Sequence, residues 1–346
     1  VTIDQYISGM RMRTLALSVA PVWIGTVAGV GIVRDRAATS SAPRCAVLHG
    51  GTSCVPDTAR TVAVAVLCLL VAVLLQIAAN FVNDYADGIR GTDAHRSARA
   101  IAAMLDDDLD TPADRMEVPP VRLVASGVPP KHVLAAAIAN AALACACGVA
   151  VVIITGYWWF VLVGALCLAA GWGYVGGRHP YGYIGLGEVA VFVFFGLVAT
   201  LGTTYAIAGA LDAAAWVGAT AIGLVAVSVL CVNNLRDLET DREVGKRTWA
   251  VRMGRTWGTV CTIALVAIVM LGAAAAWTTT SVLGERLAHL SVLNAFLGIL
   301  GALCALLTGW FASLDIAKRK YMRAMRSLGL LALATALAFN GFALMV

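Results

Sequence analysis

The sequence predicts an all-α polytopic membrane protein with nine transmembrane helices, its N-terminus cytoplasmic and its C-terminus outside. Three observations lead there. Of its 346 residues, 60% are hydrophobic and 13% charged, with mean hydropathy +0.84, whereas a soluble domain is about one quarter charged. Apolar runs long enough to cross about 30 Å of hydrocarbon recur along the chain. Basic residues, finally, collect on alternate connecting segments.

The apolar runs fall at about 15–33, 60–82, 132–155, 157–175, 185–209, 213–232, 258–277, 290–311 and 327–346. With the N-terminus inside, segments 1–14, 83–131, 176–184, 233–257 and 312–326 are cytoplasmic. They carry twenty of the 25 Lys and Arg residues, leaving Arg34, Arg36, Arg44, Arg60 and Arg286 on the other side. This is the positive-inside asymmetry. A missed or surplus helix would scramble it, so the split supports the count as well as the orientation. Residues 1–346 read as one membrane-embedded domain with two large cytoplasmic loops, 83–131 and 233–257.

The nine cysteines lie mostly inside apolar runs, where Cys behaves as a small hydrophobe. Cys145 and Cys147 are spaced CxC with no accompanying His cluster, which argues against zinc. Cys45 and Cys54 share one hydrophilic loop and would pair only if that loop faced an oxidising compartment. The apolar run after Arg11 and Arg13 is too long for a cleavable signal peptide. The run AKRKYMRAMR (317–326) reads as a basic anchor for lipid headgroups. GTVAG (25–29) is a small-xxx-small packing signal. No nucleic-acid partner is expected.

Acids carry a second signal. Thirteen of the 20 Asp and Glu residues lie in the two cytoplasmic loops 83–131 and 233–257. The first group begins inside the helix pattern: Gln76, Asn80, Asp84 and Asp87 recur at i, i+4, i+8 and i+11, a stripe along one side of the second run. Polar groups on a membrane helix are costly unless they face a cavity or a partner. The second group, in NNLRDLETDREVGKRTWAVRMG (233–254), sets Asn233 or Asn234, Asp237 and Asp241 on one helical face.

An Asp pair at a helix end is commonly a solvated cap. Two such pairs on one membrane face, each preceded by Asn in an apolar helix, favour divalent cations instead. Mg²⁺ prefers oxygen ligands, keeps several waters, and is typically held by one or two carboxylates plus substrate phosphates. Two such sites would clamp a diphosphate, with Arg90, Arg122, Arg236, Lys246 and Arg247 in sequence reach to neutralise it. DDDLD (106–110) has the higher charge density but no apolar helix to orient it, and reads as a solvated loop. Glu188 sits at the start of the fifth run, at the interface or facing a cavity.

The stretches RMRTLALSVAPVWIGT (11–26), NDYADGIRGTD (83–93), VRLVASG (121–127), LGEVAVFVFFGLVATLGTTY (186–205) and NNLRDLETDREVGKRTWAVRMG (233–254) resemble the UbiA superfamily of intramembrane prenyltransferases. Within it they are most similar to the menaquinone-pathway branch that prenylates 1,4-dihydroxy-2-naphthoate. The resemblance implies nine helices around a central cavity in the cell membrane, open to lipid at the side and capped on the cytoplasmic face by both Asp motifs. It implies Mg²⁺-dependent transfer from a polyprenyl diphosphate to 1,4-dihydroxy-2-naphthoate, with loss of carbon dioxide. Carried over by position, Asn80, Asp84, Asp87, Asp237 and Asp241 would hold the metals. Asn83, Asp93, Asn233 and Asn234 would support them, and Arg90, Arg122, Arg236 and Lys246 would bind diphosphate. Tyr174, Phe195 and Tyr205 are aromatic candidates to face an allylic cation.

Two features depart from the superfamily pattern. The position four after Asp87 is Gly91, and the next acid is Asp93. Segment 97–118 is longer than expected and reads as an insertion. Two alternatives stand beside this reading: another aromatic acceptor (4-hydroxybenzoate, homogentisate or haem), and a cation-coupled transporter. Transporters place coupling sites near the bilayer midplane, and these acids gather at one face.

The charge split makes a topological prediction. In a cysteine-free background, Asp108→Cys and Gly245→Cys are labelled by an impermeant thiol reagent from the cytoplasmic side, and Gly50→Cys only from outside. Labelling of the first two from opposite faces would overturn both the span count and a site built from two motifs.

Overall fold

The computed structural model describes residues 2–39, 58–91, 122–177, 180–282 and 292–343, and among these the secondary structure is helical, with no strand. A short helix α1 (Ile3–Met10) leads through a 3₁₀ turn (Met12–Thr14) into α2 (Ala16–Thr39). There follow α3 (Thr58–Ile89), α4 (Pro130–Thr155) and α5 (Phe160–Val175). A 3₁₀ turn, Tyr181–Ile184, precedes α6 (Gly187–Ala208), whose middle, Phe192–Val198, is wound as a π-helix. Then come α7 (Ala213–Arg236), α8 (Leu238–Glu243), α9 (Trp249–Val282), α10 (Val292–Ala317) and α11 (Tyr321–Ala343).

Eight helices among the described residues are long and apolar enough to span a membrane. They coincide with eight of the nine expected runs. The ninth run, 157–175, forms the shorter apolar helix α5. The Asp motif DDDLD, Asp93, segment 97–118, Cys45 and Cys54 lie outside the described residues.

Local chemistry sets the helix limits. Thr2 and Gln5 form a capping box at the start of α1. Pro130 occupies the first turn of α4, where its missing N–H costs nothing. Asp212 Oδ1 accepts the Ala215 amide at 2.8 Å and caps α7. Gly209, at φ 64°, ends α6 in the left-handed conformation that glycine adopts without strain. α9 is broken near its start by Gly254, at φ 75° and ψ 171°.

α7 is the hub. It packs on α2, α6, α9 and α11, and α10 closes the group against α9 and α11. The interior of this group is rich in small side chains, Ala20, Ala28, Ala215, Ala226, Ala305, Ala324 and Ala332 all being buried. Lipid is as apolar as Leu, so membrane helices associate through close backbone approach, and small residues permit it. Large side chains such as Leu162, Leu166, Leu271, Leu303 and Phe311 point outward. α3 and α4 form a second pair that joins the hub through contacts of α3 with α2 and α6.

The expected packing role of GTVAG is met on α6. A Cβ added at Gly25 would lie 2.4 Å from the Thr200 carbonyl oxygen, and one at Gly29 would lie 2.9 Å from Ile207 Cβ. Thr204 donates from its hydroxyl to the Gly25 carbonyl at 3.1 Å, reinforcing the same contact. α6 meets α7 equally closely, since a Cβ at Gly196 would sit 2.6 Å from Gly223 Cα.

Gly196→Val therefore destabilises the fold by about 1–3 kcal/mol, the usual cost of overpacking. Gly164→Ala, on α5 with nothing within 4 Å of the new methyl, is neutral or stabilising by up to about 1 kcal/mol. Thermal unfolding of the two variants in detergent checks the contrast.

Candidate active site

The polar stripe read from the sequence is real and buried. α3 runs past the apolar stretch to Ile89, so Gln76, Asn80, Asp84 and Asp87 all stand on one continuous helix, each shielded from solvent. Asn80 is fixed by its side-chain amide, which donates to the Met10 carbonyl at 2.9 Å and to Thr14 Oγ1 at 3.3 Å. Gln76 donates to Asn80 Oδ1 at 3.2 Å. The lower stripe thus ties α3 to the turn between α1 and α2.

Asp84 carries two guanidinium partners. Arg122 Nη1 donates to its Oδ1 at 2.9 Å, and Arg11 pairs with the same oxygen. The Leu123 amide faces Oδ2 at 3.4 Å. Arg11 reaches the site because it adopts the left-handed conformation, φ 51°, at the end of α1. That geometry is uncommon for a side chain other than Gly, Asn or Asp.

The second motif departs from the expected continuous face. α7 ends at Arg236, Asp237 stands in the joint (φ −93°, ψ 9°), and α8 begins at Leu238. The spacing survives because backbone bonds of the i, i+4 kind cross the joint: Asp237 N donates to Asn233 O at 3.0 Å, and Asp241 N to Asp237 O at 2.8 Å. Arg236 makes a bidentate pair with the neighbouring Asp237, both bonds at 2.7 Å. Asn234 donates to buried Glu188 at 2.9 Å, which places Glu188 inside the bundle and not at the interface. Asn83 and Asn233 are half-buried, with no side-chain hydrogen bond among the described residues.

Lys246 joins the two motifs. Its Nζ lies 3.6 Å from Asp241 Oδ1 and 4.0 Å from Asp87 Oδ1. Arg90, from the end of α3, donates instead to the carbonyls of Val175 and Gly177, the latter at 2.6 Å. Its guanidinium also lies over the Tyr183 ring. Of the aromatic candidates, Tyr174 packs against Tyr181 beside the site. Phe195 packs on the helix core. Tyr205 belongs to a cluster with Tyr157, Trp159 and Phe160 at the far end of α6.

Sequence reasoning gave no site role to Arg11 or Tyr183. The first stood in a quoted motif without a role, and the second carried no helical periodicity because it lies on a 3₁₀ turn. A hollow of about 270 Å³ between α7 and α9, lined by Cys231, Leu235, Trp249, Met253, Cys261 and Ile268, contains no carboxylate and is separate from this site.

The candidate metal ligands are all hard oxygen donors, which suits Mg²⁺ better than a softer ion. Among the described residues no three His, Cys, Asp or Glu side chains gather closely enough to cage an ion. Mg²⁺ needs no such cage when substrate phosphate and water complete its shell. The donor set fits an ion that arrives with a diphosphate.

Comparison with known proteins identifies the family. The UbiA prenyltransferase family model matches residues 50–307. The chain is 42% identical over 254 residues to the 1,4-dihydroxy-2-naphthoate octaprenyltransferase of Mycobacterium leprae (strain TN), covering 72% of this chain and 69% of the relative. It is 38% identical over 197 residues to the enzyme of that name from Escherichia coli (strain K12), covering 55% and 58%. Among solved structures, an apo UbiA homolog from Aeropyrum pernix K1 superposes with a TM-score of 0.55 at 16% identity, over 93% of this chain and 96% of that one. A UbiA homolog from Archaeoglobus fulgidus, solved bound to DMAPP and Mg²⁺, superposes with a TM-score of 0.51 at 15% identity, over 95% and 99%. The family model's match over most of the chain and the 42% identity over two thirds of a relative agree with the fold: the chain belongs to the UbiA prenyltransferase family.

Proposed function

We propose that this protein transfers a polyprenyl group from a polyprenyl diphosphate to 1,4-dihydroxy-2-naphthoate, releasing diphosphate and carbon dioxide and giving demethylmenaquinol. The observation that carries the reading is the meeting of the two motifs, with Lys246 within 4.0 Å of an Asp from each. Two acidic groups joined by a cation make one site able to grip a diphosphate. The acceptor is supported by the relatives, which bear the naphthoate enzyme's name at 34–42% identity.

Asp84, Asp87, Asp237 and Asp241, with Asn80 and the supporting Asn83, Asn233 and Asn234, would hold the ions. Bound Mg²⁺ supplies Lewis-acid stabilisation of charge on the leaving diphosphate. The homolog solved with DMAPP and Mg²⁺ supports that pairing for the fold. Arg11, Arg122, Arg236 and Lys246 already neutralise these carboxylates, by direct pairing or close approach. Substrate binding would exchange partners: the carboxylates turn to the cations that accompany the diphosphate, and the guanidinium and ammonium groups turn to its oxygens. Buried charge stays matched throughout, which keeps the exchange inexpensive.

The allylic C–O bond then breaks with cationic character on carbon. Apolar helix faces around the site exclude water that would quench it. The electron-rich ring attacks through the carbon bearing its carboxylate, and that carboxylate leaves as carbon dioxide with its bonding electrons returning to the ring. The enzyme would sit in the cell membrane as a single domain, N-terminus in and C-terminus out, with the site facing the cytoplasm. Membrane lipid would surround its apolar faces, with the basic run 317–326 held at the headgroups.

Membranes containing the protein, supplied with polyprenyl diphosphate and candidate acceptors, should yield prenylated naphthoquinol by mass spectrometry. A product from 4-hydroxybenzoate, homogentisate or haem alone would reject the acceptor.

Activity should vanish with EDTA and return with Mg²⁺. Asp84→Ala and Asp237→Ala should each lower turnover by at least ~100-fold, as loss of charge stabilisation at a leaving group does. Near-wild-type turnover in either folded variant would remove that residue from the site.

A further inference from the structure

The 3₁₀ turn before α6 touches both Asp motifs at once. Tyr183 donates its phenolic hydrogen to Asp87 Oδ1 at 3.2 Å. Its ring lies beneath two cations, Lys246 Nζ at 4.6 Å and the Arg90 guanidinium at 5.3 Å from the ring centre. Asp87 and Arg90 come from the end of α3, Lys246 from the loop after α8. One side chain therefore contacts the first motif through its hydroxyl and both motifs through its π face.

Its backbone is held just as firmly. The Tyr183 carbonyl accepts the Arg247 amide at 2.8 Å. The next two carbonyls are taken as well: Ile184 O accepts Arg252 Nη2 at 2.7 Å, and Gly185 O accepts Trp249 Nε1 at 2.9 Å. Arg252 in addition donates to the Arg247 carbonyl at 3.1 Å. Segments 183–185 and 246–252 are thus laced into one unit, and Tyr183 is where that unit meets α3.

We propose that Tyr183 is a positioning residue that fixes the distance between the two Asp motifs, so that they bind the metal–diphosphate group as one site. It acts through Asp87 and Lys246. The hydroxyl holds one oxygen of Asp87 and leaves the other to bind. The ring keeps Lys246 between Asp87 and Asp241. Arg90 is held by the same ring and by the carbonyls of Val175 and Gly177, so the end of α5 is drawn into the assembly. The inference rests on the proposed transferase reading only for the identity of the bound group. The coupling is a matter of geometry alone.

The test compares Tyr183→Phe with Tyr183→Leu in the full-length protein in detergent. Phe keeps the ring under both cations and loses only the hydroxyl; Leu loses both. Two readouts are taken: the Mg²⁺ concentration giving half-maximal pyrophosphate release, and the rise in thermal midpoint produced by Mg²⁺ with inorganic pyrophosphate. A hydrogen bond to a charged group predicts that Phe raises the Mg²⁺ requirement about tenfold. Loss of the cation–π contacts predicts a further rise of about threefold to tenfold for Leu. The thermal shift should shrink in the same order, while KM for the aromatic acceptor stays within about twofold.

Unchanged Mg²⁺ dependence in both variants would overturn the proposal. So would a lower midpoint without ligand accompanied by an undiminished ligand-induced shift, the mark of a purely structural residue. A change confined to acceptor KM would place Tyr183 in the acceptor subsite and also overturn it. Should Leu fail to fold, the Phe variant still decides the hydroxyl's part. Should wild type be stabilised by Mg²⁺ and pyrophosphate yet prenylate no naphthoate, the functional reading fails and the positional inference is still tested by the thermal shifts.

Discussion

Every carboxylate in this site must find a positive partner, because an ionised acid at the edge of a bilayer has too little water to stand alone. That constraint organises the end of the bundle where the two Asp motifs meet. Asp84 draws in Arg11 from before α2 and Arg122 from before α4. Asp237 takes its neighbour Arg236, and Asp87 and Asp241 share Lys246. The charges thereby stitch together segments far apart in sequence, which apolar packing alone has no means to register.

The bundle beneath supplies the rigidity that such matching needs. Buried alanines and glycines bring α2, α6 and α7 to near backbone contact, and Thr204 adds a hydroxyl bond to the Gly25 carbonyl. Glu188 continues the ordering upward. It is fully buried at the start of α6 and accepts a hydrogen bond from Asn234 on α7. Two helix ends, the start of α6 and the end of α7, thus meet on one carboxylate. Metal chemistry requires ligands carried on rigid elements, and here the rigidity is laid down by polar contacts as much as by packing.

Much of this was legible in the sequence for a definite reason: helices impose a period. Gln76, Asn80, Asp84 and Asp87 announce a buried face because the spacing fits one side of a helix in an apolar run, and the face is buried. GTVAG announces close packing by the same logic. Legibility ends where the period ends. Asp237 and Asp241 keep helical spacing, and nothing in that spacing reveals the joint at Asp237, since the backbone bonds cross it intact. Arg11 owes its position to a left-handed turn, and Tyr183 to a 3₁₀ turn. Arg90 stands within sequence reach of Asp87; its bonds to the carbonyls of Val175 and Gly177 depend on where α5 ends, which no local pattern states.

The π-wound stretch of α6, Phe192–Val198, has a consequence of its own. A π turn accommodates additional chain length within a helix without breaking it, and so resets the angular phase of everything on one side relative to the other. Above it, α6 offers Glu188 to Asn234; below it, Thr200 and Thr204 face Gly25. Each residue of an ordinary α-helix advances the phase by about 100°, so both engagements on one rod depend on this wider winding. The length of the stretch is therefore constrained more tightly than its composition: a conservative exchange within it alters one contact, whereas removal of a single residue would turn one end of the helix away from its partner.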